Sequence, residues 1–106
     1  MSIDDYQIEA AKTAIYPSGS LAYLALGLNG ESGEVAEIIK RQLRSGKALD
    51  DNEMHALKKE LGDCLWYLAN LAREAGFSLS SVAEENLKKL RSRQERGALE
   101  GKGSDR

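Results

Sequence analysis

Apolar residues recur along this chain at steps of three and four, and they almost nowhere alternate as in a half-buried strand. With one proline and few β-branched residues, the pattern predicts an all-α fold of four helices. The first runs from about Ile3 to Ile15. It ends at Tyr16-Pro17, because a residue preceding proline is pushed out of helical geometry. The second starts near Ser18 or Ser20, either of which can cap it. It continues to about Arg44, and Ser45-Gly46 supplies the stop. The third opens at Asp50, with Glu53 three residues on as a capping box, and closes at Ala75-Gly76. The fourth runs from Ser78 to about Arg96 and ends at Gly97. The connections are short, so neighbouring helices should pack antiparallel into a compact four-helix bundle. Residues 1–97 read as one domain and the polar, Gly-rich 98–106 as a flexible tail.

At 106 residues the chain suits a single domain with a small core. A core completed by dimerisation, or by assembly into a tetramer, is therefore expected. Acidic and basic residues nearly balance, 17 against 15, and the pI is about 5.4. No global basic field exists to attract nucleic acid. No apolar run reaches the length of a membrane span, and the first residues lack the charged and apolar regions of a signal peptide. A cytoplasmic protein is expected. Cys64, the only cysteine, lies in an apolar stretch and reads as a buried, inert thiol.

Acidic residues interrupt two of the apolar stripes. Leu21, Leu24, Leu28, Val35 and Ile38 line one side of the second helix, and the stripe meets Glu31 where a core residue belongs, with Glu34 one turn on. Leu57, Leu61, Leu65 and Leu68 line the third helix, with Glu60 and Asp63 at the edge of the stripe. Residues three apart on a helix are spatial neighbours. Carboxylates this close on a half-buried face repel each other, and a divalent cation removes the conflict. Oxygen donors suit Mg²⁺ or Mn²⁺, and the absence of histidine and cysteine from the set argues against zinc. The plainer alternative is that both pairs are solvated helix faces. Gly27, Gly30 and Gly33 recur every third residue beside these glutamates, either bending the helix or letting a ligand or another backbone come close.

The run Gly27-Leu28-Asn29-Gly30-Glu31-Ser32-Gly33-Glu34-Val35-Ala36-Glu37, followed by Lys59-Glu60-Leu61-Gly62-Asp63, resembles the paired ExxE and ExxD motifs of the MazG-like family of all-α nucleoside triphosphate pyrophosphatases. Asn86 to Arg93 is similar to the family's N-x-x-K-L-x-x-R segment. Tyr6-Gln7 through Thr13-Ala14 to Tyr16-Pro17 resembles the opening of its small members. The resemblance covers residues from about 6 to 97. Many members carry a further glutamate directly before the ExxE, where this chain has Gly30.

The resemblance implies hydrolysis of a nucleoside triphosphate between the α- and β-phosphates, with Mg²⁺ (or Mn²⁺) held by Glu31, Glu34, Glu60 and Asp63. Glu34 or Glu37 would take the proton from water. Lys89 and Arg93 would meet the phosphates, and Asn86 would hydrogen-bond a phosphate or the base. Trp66 and Tyr67 would hold the base, with Tyr6, Gln7 and Tyr23 as further candidates. The competing expectation is a non-enzymatic helical adaptor. Neither the preferred base and sugar nor the biological role follows from these motifs.

Overall fold

The computed structural model describes residues 1–17 and 19–97. Ser18, one of the two candidate caps, and the tail at 98–106 lie outside the described residues. The described residues form four helices: α1 (Ile3–Ala11), α2 (Leu21–Ser45), α3 (Asp51–Glu74) and α4 (Leu79–Glu95). No strand occurs among the described residues.

Local chemistry starts each helix. Ser2 and Asp5 form a capping box on α1, and Asp50 and Glu53 form the expected one on α3. Ser20 and Ser78 cap α2 and α4 through their hydroxyls. Gly46 ends α2 in the left-handed region (φ 70°), where a side chain would be strained, and its N–H bonds back to the Gln42 carbonyl at 3.0 Å.

α1 ends four residues short of the expected Ile15. Thr13 and Ala14 turn back onto the Ala10 and Ala11 carbonyls, a tighter winding than an α-helix. Contacts with α3 hold the chain there. Trp66 Nε1 donates to Thr13 Oγ1 at 2.8 Å. The Tyr16 hydroxyl donates to Glu74 at 3.0 Å and accepts from Arg73 at 3.0 Å.

α3 is the hub. It packs against every other helix, α1 and α4 also touch each other, and among the described helices α2 packs on α3 alone. The α2–α3 pair is antiparallel: Gly27 lies against Tyr67, Glu31 beside Asp63, and Ile38 across a cleft from Ala56. The expected compact bundle is therefore not closed within one chain. The core is small, and Leu24 and Asn70 are the largest fully buried side chains. Leu61, Leu65 and Leu68, expected as core, stay 53%, 36% and 39% exposed. The side of α3 that meets α2 is occupied instead by Ala56, Glu60, Asp63 and Tyr67.

Gln7 joins three elements. Its amide nitrogen donates to the Ala69 and Phe77 carbonyls at 3.1 and 3.0 Å, and its amide oxygen accepts from Leu79 N at 3.0 Å. A buried amide whose hydrogen bonds all go to backbone holds the end of α3 and the start of α4 onto α1.

Candidate metal centre

The antiparallel register of α2 and α3 brings Glu31, Glu60 and Asp63 together. One carboxylate oxygen from each lies within 4.8 Å of the others. Glu31 and Glu60 are half-buried and Asp63 is exposed. Crowding raises the Glu31 carboxyl above its ordinary value. Its contact with Glu60, with which it can share a proton, matters most, followed by burial and the charges of Asp63, Glu60 and Glu34. Glu60 Oε2 is buried and has no hydrogen-bond partner among the described residues. An orphaned carboxylate oxygen is costly unless a cation or proton meets it. The donor set is all oxygen, which fits a hard divalent cation.

Glu34 stands outside the trio, exposed, one turn further along α2. With Glu60, Ile38, Arg41, Glu53 and Ala56 it lines a cleft of about 160 Å³. Glu37 instead reaches Lys40, with Oε2 at 3.2 Å from Nζ, an exposed pair within α2. Arg41 was not singled out in the sequence, because a single charge on a helix reads as solvated, and Glu53 was read only as half of the α3 capping box.

On the other side of the trio, Glu31 and Asp63 share a cleft of about 320 Å³ with Thr13, Trp66 and Tyr67. An aromatic chain continues from it. Tyr67 meets Trp66 edge-on at 5.0 Å, Trp66 meets Tyr16 edge-on at 6.2 Å, and Tyr16 stacks on Tyr23 at 5.9 Å. Burial is the main cause raising the Tyr67 phenol, followed by Tyr23 and the charge of Glu31. Two candidates for the base thus line the acidic cleft. Thr13 joins this wall and Tyr16 packs behind it on Trp66, neither having been read as a site residue, although both lie in the opening segment that carries the resemblance.

The remaining candidates lie elsewhere. Asn86 and Lys89 are exposed on α4 and line a separate cleft of about 500 Å³ with Phe77, Ser81, Val82 and Glu85. That cleft contains none of the three clustered acids, and α4 does not pack on α2. Arg93 is buried, 6% exposed. Tyr6 packs against the core of Ala69, Ala72 and Leu79. Gln7 is committed to backbone, as described above. Cys64 is half-buried rather than buried.

The chain is similar to known proteins along most of its length. The family model described as the MazG nucleotide pyrophosphohydrolase domain matches residues 20–97, from the cap of α2 to the end of α4. The Gene 37 protein of Mycobacterium phage L5 is 42% identical over 114 residues, covering 100% of both chains. No solved structure matches.

Proposed function

Because the chain belongs to the MazG nucleotide pyrophosphohydrolase family, we propose that it hydrolyses nucleoside triphosphates to nucleoside monophosphate and pyrophosphate. The observation that carries this is the acidic trio, with its orphaned Glu60 oxygen, beside an aromatic-walled cleft. Glu31, Glu60 and Asp63, joined by Glu34 from the adjoining cleft, would hold Mg²⁺ or Mn²⁺. When bound, the cation neutralises the polyphosphate and polarises the attacked phosphorus.

The chain's own groups do the rest. Glu34, exposed beside Glu60, would accept a proton from the attacking water in this reading, and Glu37 is the second candidate for that role. Trp66 and Tyr67 offer apolar ring surface for the base. Asn86, Lys89 and Arg93 are assigned to the phosphates by their match to the N-x-x-K-L-x-x-R segment alone. Cleavage at the α–β bond also accords with the lack of a G-x-x-x-x-G-K-[ST] loop, which would have favoured the β–γ bond.

The protein acts as a homodimer or homotetramer in this reading. Met54, Leu61, Leu65 and Leu68 form one stripe along α3, on the side away from the residues that meet α2, and all four are exposed. The radius of gyration, 16.6 Å, exceeds the ~13 Å of a compact chain of about 100 residues. A second copy covering the stripe would supply the missing core.

Chromatographic product analysis with each nucleoside triphosphate and Mg²⁺ tests the chemistry. Monophosphate and pyrophosphate are expected, and Glu34→Gln should lose at least about a hundredfold in turnover with its helical content intact. Diphosphate and orthophosphate as products, or full activity in Glu34→Gln, would overturn it. A protein indifferent to both metal and nucleotide would instead favour the adaptor reading.

A further inference from the structure

Gly27, Gly30 and Gly33 share one helix and one spacing, but their surroundings differ. A Cβ built at Gly30 or Gly33 would meet nothing, whereas one built at Gly27 would run into the Tyr67 ring. Gly27 does not have the left-handed backbone that excuses a glycine. Within a helix glycine is weaker than alanine, and of the three only Gly27 has a contact that accounts for it. That contact is the phenol ring of Tyr67, which lies where the side chain of residue 27 would otherwise stand.

The ring is also fixed from a second direction. Trp66 meets it edge-on, with centroids 5.0 Å apart and planes at 83°. Trp66 is itself tied to Thr13 through its indole N–H. Tyr67 is thus held between the α2 backbone and an anchored indole, and in that place it lines the cleft that contains Glu31 and Asp63.

We propose that Gly27 is a positioning residue: its missing side chain seats the Tyr67 ring against α2, and so shapes the wall of the acidic cleft that receives the nucleotide base. The inference rests on the hydrolase reading above. A base stacks on such a ring through its face, whatever its hydrogen-bonding edge, so the seat governs affinity rather than the proton transfer. Substitution at Gly27 should accordingly act on KM far more than on kcat.

The chain has one tryptophan, so Trp66 emission reports the position of Tyr67 without any ligand. Gly27→Ala should shift that emission and raise KM about tenfold, the scale of one lost base stack, with kcat within about twofold of wild type. Tyr67→Ala should raise KM similarly. In a Tyr67→Ala background the seat is vacant, so adding Gly27→Ala should change neither KM nor emission. Should Gly27→Ala alone fail to fold, the double variant should recover the fold. Multiplying losses in the double variant, an unshifted Trp66, a shifted Trp66 with unchanged KM, or a double variant that also fails to fold would each overturn the proposal. A wild type inert towards every nucleoside triphosphate would fail the hydrolase reading, and with it the claim on KM, while the Trp66 measurement still judges the seating.

Discussion

Polar side chains at buried or half-buried positions in this protein serve two different ends, and Asp4, Gln7 and Glu60 illustrate the difference. Gln7 and Asp4 are satisfied, whereas Glu60 has an oxygen left over. Asp4 accepts from the Ser80 hydroxyl and the Ser80 N–H, at 2.6 and 2.8 Å, and fastens α1 to the start of α4. Those bonds hold its carboxyl below the ordinary 3.8, the side-chain bond contributing most. A carboxylate depressed in the fold contributes stability that is present above its unfolded pKa and lost as pH falls through its folded one. Asp4→Asn should therefore melt below wild type at neutral pH, and the gap should narrow as pH drops through and beneath 3.8. Thermal melts followed by circular dichroism across the acid range would show this, and a gap independent of pH would refute it. In the sequence, Gln7 is indistinguishable from a ligand-binding amide, because its three partners are backbone groups more than sixty residues away. The acidic trio is legible because its members are misplaced relative to apolar stripes, an anomaly visible within a few turns of one helix.

At the scale of the helix, the legible features are those fixed by neighbouring residues. The Asp50–Glu53 capping box is one: both halves are present, with Glu53 N–H donating to Asp50 at 2.8 Å and Asp50 N–H to Glu53 at 3.0 Å. Asp50→Ala should cost about 1 kcal/mol. For a domain of this size that lowers the melting temperature by about 4–8 °C. An unchanged melting temperature would mean that the start of α3 is held by packing rather than by its cap. The end of α1 was not legible, because what stops it is remote: Trp66, Arg73 and Glu74 capture Thr13 and Tyr16. The leucine stripe of α3 was legible as a stripe, but its direction was not. Periodicity says that Leu61, Leu65 and Leu68 share a face. It does not say that α2 takes the opposite face, where the acids and Tyr67 lie. The same limit applies to Asn86 and Lys89, whose spacing is helical but whose cleft on α4 is set by how α4 packs on α1 and α3.

The whole molecule is a hub helix with one long arm attached along a single side. If a second copy covers the bare stripe of α3, light scattering should exceed the 11.6 kDa of one chain at micromolar concentration. Leu61→Glu should shift the protein towards monomer, because burying an unpaired charge in an apolar contact costs several kcal/mol. A wild type that stays at one chain mass would remove the dimer. No helix among the described residues is long and apolar enough to cross a membrane. The single attachment of α2 also bears on how the protein opens. Contacts that one element makes with only one neighbour form a unit that can detach while the rest stays closed. Backbone amides along α2, from Leu24 to Ile38, should exchange with deuterium sooner than the Ala69–Ala72 segment of α3, which α1 helps to enclose. Each such opening separates Glu31 from Glu60 and Asp63, so a cation shared between them would tie the arm to the hub. If the trio holds Mg²⁺ as proposed, millimolar Mg²⁺ should slow exchange in α2 selectively, and the site would then also act as a clasp.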